Sequence, residues 1–325
     1  MKAVVISEPG GPDVLELRDA PLPDPGPGEV RIRVYAAGVN RPDVIQRQGR
    51  YPAPPGVPAD IPGLEVAGVV DMVGKDAPRW KVGDRVCALL AGGGYAEYVT
   101  VPSGQCLPVP ANWDFIQAAS VPETFFTVWA NIFQRGHFQK GETVLVHGGS
   151  SGIGVAAIQM ISTMGGKIII TAGTDEKCAF CKRLGADRSI NYRTEDFESV
   201  IREEFGGVDI ILDMIGGDYT PKNLNCLREE GRLIIINAMN GRQAEVDLMR
   251  VMVKRLTITG STLRVRSPEF KQRIAEELES NIWPLMADGS IKPVVFRTFS
   301  FGNALSAHKL METSEHMGKI VLEMN

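Results

Sequence analysis

Apolar and polar positions alternate through the first third of the chain. Val30, Ile32 and Val34 are separated by Arg31 and Arg33, the period of two that a half-buried strand requires. The runs from 66 to 73, 85 to 90 and 95 to 101 read as strands too. Pro9-Gly10-Gly11-Pro12, Val82-Gly83-Asp84 and Gly92-Gly93-Gly94 supply the turns between them. Seventeen of the 21 prolines lie at or before Pro122, and none falls between Glu123 and Thr220. Proline lacks a ladder donor and breaks helix interiors, so the first stretch predicts short strands and turns.

After Pro122 short apolar runs alternate with helical stretches. Strands are expected at 144–147, 167–171, 188–191, 209–213, 232–237 and 256–260, with helices at 155–164, 176–184, 195–205 and 246–254 between them. Six apolar strands alternating with helices predict a parallel sheet covered on both faces, the doubly wound dinucleotide-binding pattern. From Ser267-Pro268 the chain returns to mixed structure: a helix running towards Asp288-Gly289, a strand at 294–299, a helix at 304–312 and a strand at 319–323. With the six-stranded unit complete, this tail is expected to rejoin the first domain. The boundaries read as 1–122, 123–266 and 267–325. No internal repeat or low-complexity tract appears.

Length and charge narrow the function class. A chain of 325 residues suggests two domains. Lys plus Arg number 35 against 39 Asp plus Glu, a formal charge of -4, which argues against nucleic acid as a partner because phosphate neutralisation needs a basic face. Five cysteines, an odd number, and an opening without a signal-peptide pattern point to free thiols and the cytoplasm. The uncharged run from Thr143 to Gly166 is long enough to imitate a membrane span, but a glycine loop interrupts it. It reads as strand, loop and buried helix, so no membrane segment is expected.

That loop is the strongest single motif. Strand 144–147 runs into Gly148-Gly149-Ser150-Ser151-Gly152-Ile153-Gly154 and then into small residues. Glycine permits a tight turn and close approach of main-chain N–H groups to a pyrophosphate, and the helix N-terminus adds a positive dipole end. A turn with no ligand is the alternative for such a loop alone, and its place at the first strand of a six-strand alternation favours a cofactor. No carboxylate stands at the tip of the second strand, where one would hold a ribose 2′-hydroxyl. Gly173 stands there instead, Lys177 follows within a turn, and Tyr192 ends the next strand. Lysine at that corner favours NADPH over NADH, although Lys177 also fits a solvated helix position beside Asp175 and Glu176.

A metal is not expected. Cys178-Ala179-Phe180-Cys181 lies inside a helix with no second pair to complete four ligands. His137, His147, His308 and His316 show no metal-binding spacing. His147 reads as a satisfied buried histidine beside the cofactor loop.

The whole order resembles the medium-chain dehydrogenase/reductases. Within them the chain is similar to the zinc-free, zeta-crystallin-like quinone oxidoreductases, most of all their tumour-suppressor-inducible branch. The likeness is carried by Gly38-Val39-Asn40-Arg41-Pro42-Asp43, the stretch from Gln46 to Pro52, Pro62-Gly63-Leu64-Glu65, the stretch from Val121 to Trp129, the glycine loop, and Gly318-Lys319-Ile320-Val321-Leu322-Glu323. The resemblance implies an α/β fold, a GroES-like β-rich catalytic domain plus a doubly wound six-stranded parallel Rossmann domain. It implies NADPH in the cleft between the domains and a homodimer. Zinc-dependent relatives place a cysteine where Asn40 stands and a histidine where Leu64 stands, and their four-cysteine lobe is absent. By the same resemblance Gly149, Ser150, Ser151, Gly152, Ile153 and Gly154 cradle the cofactor, and Gly173, Lys177 and Tyr192 surround its 2′-phosphate. Asn40 and Thr127 approach the nicotinamide, Leu263, Arg264 and Lys319 line the cofactor, and Tyr51 meets the substrate. Plain packing is the alternative for Tyr51 and Thr127.

The expected activity is hydride transfer from nicotinamide C4 to a quinone without metal. A reduced quinone takes its proton from water, so no acid–base catalyst is assigned, and Asn40 or Tyr51 is the candidate to polarise the substrate carbonyl. Two alternatives stay open: an enoyl or alkenal reductase of the same zinc-free superfamily, and a non-catalytic NADPH-binding protein. A short-chain dehydrogenase shares the loop's appearance, but there the loop opens the chain and a Tyr is followed by Lys four residues later. Neither feature is present.

Overall fold

The computed structural model describes residues 1–324. By contacts the chain divides into two units. One is Met1–Phe126 together with the chain from Leu263 onward, and the other is Thr127–Thr262.

The first unit opens with an antiparallel pair, β1 (Lys2–Ile6) and β2 (Leu15–Asp19). Then follow β3 (Glu29–Val39), α1 (Arg41–Arg47), β4 (Glu65–Val73), β5 (Arg85–Leu89), β6 (Tyr98–Pro102) and β7 (Cys106–Pro108), and two short helices, α2 (Phe115–Ala118) and α3 (Pro122–Val128). Proline explains the brevity of most elements, and the expected strand at 95–101 is shifted. Residues 95–97 pair with β1 instead, Val4 N–H donating to the Tyr95 carbonyl and Glu97 N–H to the Lys2 carbonyl, so the strand on β3 begins only at Tyr98.

The second unit carries β8 (Thr143–His147), α4 (Gly152–Thr163), β9 (Lys167–Ala172), α5 (Asp175–Arg183), β10 (Arg188–Asn191), α6 (Phe197–Phe205), β11 (Val208–Asp213), α7 (Tyr219–Cys226), β12 (Leu227–Ile235), α8 (Leu248–Lys254) and β13 (Thr257–Gly260). Its sheet runs β10-β9-β8-β11-β12-β13, with every pairing parallel. Apolar residues on both faces are buried, Leu145, Ile169, Ile211 and Leu233 on one and Val146, Ile170, Leu212 and Ile234 on the other, the burial that parallel strands demand. Side-chain caps set the helix starts. Ser151 accepts from Gly154 N–H, Thr174 from Lys177 N–H, and Asp196 from Ser199 N–H. The Asp196 cap places the start of α6 at Phe197, two residues beyond the expected one. Chain order reverses between β8 and β11, and a doubly wound sheet binds ligands at that switch point, outside the carboxyl ends of its strands.

The returning segment holds α9 (Pro268–Asn281), α10 (Trp283–Ala287), β14 (Val295–Ser300), α11 (Ala304–Thr313) and β15 (Lys319–Glu323). One helix from Pro268 to Asp288 was the expectation, and two are found. Pro284 cannot donate and its ring crowds the carbonyl four residues back, so the helix breaks at Ile282. β15 lies antiparallel to β3 and parallel to β14, giving a sheet ordered β14-β15-β3-β4-β5-β7 with β6 on β3. Its Ile320 and Leu322 join Val30, Ile32 and Val66 in one buried cluster. The register Ile320↔Val39 sets Lys319 beside Asn40.

Candidate functional site

In the second unit, the glycine loop leaves the carboxyl end of β8. An added Cβ on Gly154 would stand 2.3 Å from the Gly149 carbonyl oxygen, so only glycine lets helix α4 start this close to the turn. The first N–H groups of α4, from Gly152 and Ile153, lack intrahelical acceptors by their position and lie at the positive end of the helix dipole. Ser150 is buried within the turn. Below it, His147 is fully buried between the Thr171 hydroxyl (3.0 Å) and Asn223 Oδ1 (2.8 Å). The amide oxygen only accepts, so Nε2 carries the proton and Nδ1 accepts. Burial lowers the His147 pKa. The sequence reading of a satisfied histidine holds.

The neighbouring strand ends bring three expected residues to one edge. Gly173 follows β9, Lys177 sits in the first turn of α5, and Tyr192 follows β10. A Cβ on Gly173 would meet the Tyr192 hydroxyl at 2.6 Å, so the glycine makes room for that phenol. Asp175, the first residue of α5, is turned to β10, where its Oδ1 accepts from Asn191 Nδ2 at 2.7 Å. Thr127, partly buried in α3, offers its carbonyl to Asn131 Nδ2 at 2.9 Å. Asn131 Oδ1 in turn accepts from the Ser261 hydroxyl after β13.

In the first unit a buried charged cluster surrounds Asn40. The Lys319 ammonium contacts Glu65 Oε1 at 2.5 Å and Asn40 Oδ1 at 2.5 Å. Asn40 Nδ2 donates to Glu65 Oε1 at 2.8 Å, and Asn40 N–H to Asp43 Oδ2 at 2.8 Å. Glu65 Oε2 accepts from Glu123 N–H at 2.9 Å. Glu65 is inaccessible to solvent and Lys319 nearly so. Burying two charges is costly, and only close pairing with added hydrogen bonds offsets it. Gly38 completes the arrangement: a Cβ there would lie 2.1 Å from Glu65 Oε1.

A directed hydrogen-bond chain reaches the same cluster from the other side. The Arg47 guanidinium, which only donates, lies 3.3 Å from His308 Nδ1, so that nitrogen accepts and Nε2 carries the hydrogen. Nε2 then donates to the Tyr95 oxygen at 3.2 Å, and Tyr95 donates to Asp43 Oδ2 at 3.3 Å. Burial, with Arg47 adding to it, lowers the His308 pKa to about 3, so the ring is neutral. Burial also raises the Asp43 carboxyl to about 6, against the opposing N–H groups of Asn40 and Gly63 and the charge of Lys319.

Tyr51 lies in an irregular loop on the same unit, half-buried beneath Arg264. The Arg264 carbon Cζ is 5.0 Å from the Tyr51 ring centroid. Burial raises the Tyr51 pKa, Glu123 adds to the rise, and Arg264 opposes it. Leu263, beside Arg264, is partly buried. Glu65, Asp43, Glu123 and Gln46 were not singled out from the sequence. A charged residue inside the apolar run Leu64-Glu65-Val66-Ala67 was the available signal.

Burial raises the Glu123 carboxyl to about 8, with repulsion from Glu65 adding to it and Lys319 and Lys271 opposing. A carboxyl whose folded pKa exceeds its unfolded value loses stabilisation as pH rises between the two. Thermal melts should therefore show wild type falling relative to Glu123→Gln between about pH 4.5 and about pH 8. Asp43 is present in both proteins, so the difference reads Glu123 together with its repulsion from Asp43. A difference in melting temperature that stays flat from pH 4 to 9 would show that folding does not shift the Glu123 carboxyl.

Among the described residues no group of three or more His, Cys, Asp or Glu is placed to hold a metal ion. Asn40 and Leu64 stand where zinc-dependent relatives place ligands, and the Lys319 ammonium supplies the local cation at Asn40. The description "Zinc-binding dehydrogenase" nevertheless matches residues 152–280, and "Alcohol dehydrogenase GroES-like domain" matches residues 26–111. The quinone oxidoreductase of Homo sapiens is 35% identical over 99% of this chain and 97% of its own length. Among solved structures, an Escherichia coli quinone oxidoreductase complexed with NADPH superposes with a TM-score of 0.89 at 28% identity, covering 99% of this chain and all of its own. An NAD-dependent alcohol dehydrogenase gives 0.88 at 33% identity over the full length of both chains. With its GroES-like and Rossmann parts and its full-length likeness to quinone oxidoreductases, the chain belongs to the zinc-independent, zeta-crystallin-like branch of the medium-chain dehydrogenase/reductases.

Proposed function

We propose that this protein is a metal-independent NADPH:quinone oxidoreductase. The observation that carries the cofactor reading is the edge where Gly173 makes room for the Tyr192 hydroxyl, with Lys177 in the first turn of α5 and Asp175 turned to Asn191. A 2′-phosphate there would find the Lys177 cation and the Tyr192 phenol, with the Asp175 carboxylate engaged by Asn191. NADPH, when bound, supplies a hydride from its nicotinamide ring. The residues from Gly149 to Gly154 offer main-chain N–H groups and a helix N-terminus to the pyrophosphate. Thr127 and Asn40 hold the nicotinamide side, and Leu263 adds apolar wall. Lys319 and Arg264 act through shape and position, because their cations already have protein partners. Tyr51 donates its hydroxyl to the substrate carbonyl and stabilises the oxyanion that forms there. The five thiols are free and buried, in keeping with a cytoplasmic enzyme. No helix among the described residues is long and apolar enough to cross a membrane.

A homodimer completes the proposal. β13 ends the six-stranded sheet, and its residues are largely exposed. Beside it in sequence, α8 exposes Leu248, Met249, Met252 and Val253, and an uncovered strand edge with apolar neighbours is a pairing surface. A second copy related by a two-fold axis would extend the sheet across it. Light scattering should give twice the 35.3 kDa chain mass, and Met252→Glu with Val253→Glu should give monomer. A wild-type monomer would reject the dimer.

Steady-state rates with an ortho-quinone and with an enone, at fixed NADPH and with EDTA present, test the activity. A higher kcat/KM for the quinone is expected, unaffected by EDTA. A much higher value for the enone would make the protein an enoyl reductase, and NADPH binding with no turnover of either would make it a non-catalytic binder. Lys177→Ala should weaken NADPH binding about ten- to a hundredfold, the loss of one charge-assisted hydrogen bond, and leave NADH nearly unchanged. Equal losses for both cofactors would remove Lys177 from the phosphate site.

A further inference from the structure

Tyr51 sits in a segment, 50–61, without helix or strand. Four prolines and Gly56 fall within it. A phenol that meets substrate from such a loop needs a rigid support. Arg264 is placed to provide one. It is buried, and its guanidinium faces three partners far away in the chain. Nε donates to the Ala91 carbonyl at 2.6 Å, Nη1 to the Tyr51 carbonyl at 3.3 Å, and Nη2 to Gln46 Oε1 at 2.7 Å. Gln46, itself buried, passes the constraint to the far end of the loop by donating to the Ala59 carbonyl at 3.0 Å. The Arg264 carbonyl is held in turn by Lys271 Nζ at 2.8 Å. The same guanidinium lies over the Tyr51 ring, so it fixes both the main chain and the ring plane and places positive charge against the π face.

We propose that Arg264 is a positioning residue that sets the Tyr51 phenol for the substrate, through the fork it makes to the Tyr51 carbonyl, Gln46 and Ala91 and its stacking on the ring. This rests on the reading that Tyr51 faces the substrate. A lysine cannot replace it fully, since an ammonium keeps the charge but lacks the planar fork.

The test is a double-mutant cycle on the full-length enzyme with an ortho-quinone. Arg264→Gln should lower kcat/KM at least tenfold in the wild-type background and less than threefold when Tyr51 is already Phe. Arg264→Lys should recover part of the loss. Hydrogen exchange of the segment 50–61 should be faster in Arg264→Gln, a readout that needs no activity. Equal losses in both backgrounds would overturn the positioning role while Tyr51→Phe remains impaired. A fully active Tyr51→Phe enzyme would instead sink the substrate-side reading of Tyr51, and the proposal with it.

Discussion

The first unit depends on one buried ion pair. Lys319 arrives on the last strand and Glu65 on β4, and Asn40, at the end of β3, bridges them. Removing one partner of such a pair leaves an uncompensated charge, which costs about 3–5 kcal/mol. The geometry is narrow because β15, β3 and β4 must keep their registers for the three side chains to meet. Gly38 must also stay without a side chain. Strand pairing and charge pairing therefore specify each other: a register slip of one residue would turn Lys319 to the opposite face and leave Glu65 buried alone.

The cluster also bears on the chemistry. A zinc enzyme draws its positive charge at this place from a metal. Here an ammonium is held by protein groups, and it has no open coordination position to offer a substrate. What remains for the protein is to orient and to exclude water, which suits a reaction whose hydride comes from a cofactor. The one-way hydrogen-bond chain from Arg47 through His308 and Tyr95 to Asp43 serves the same end, since every proton position in it is decided by the donor-only guanidinium.

Much of the fold was legible in the sequence. Apolar runs marked five of the six strands of the parallel sheet to within a residue at each end, because strands buried on both faces have little freedom to be polar; β12 begins five residues before its expected start, and β13 was found although it is largely exposed. The glycine loop was legible because close approach of main chain to main chain tolerates no other residue at Gly154. Ends were less legible. The Asp196 cap moved the start of α6, and Pro284 divided a helix that its periodicity presented as one. That Gly173 and Tyr192 follow neighbouring strand ends, with Lys177 in the first turn of the helix between, was legible from spacing. The direction of the Asp175 carboxylate was not, since that depends on Asn191 from another strand.

By itself the sequence determined the class of fold, the glycine cradle and the absence of zinc-ligand residue types at Asn40 and Leu64. All of these are local, written in the order and size of neighbouring residues. Only the tertiary structure decided what Lys319 and Arg264 do. Their partners lie hundreds of positions away, Asn40 for one and Gln46 for the other, and separation in the chain carries no information about which buried carboxylate or carbonyl a cation will find. Desolvation forces each buried cation to find such a partner, and the strand registers choose which one.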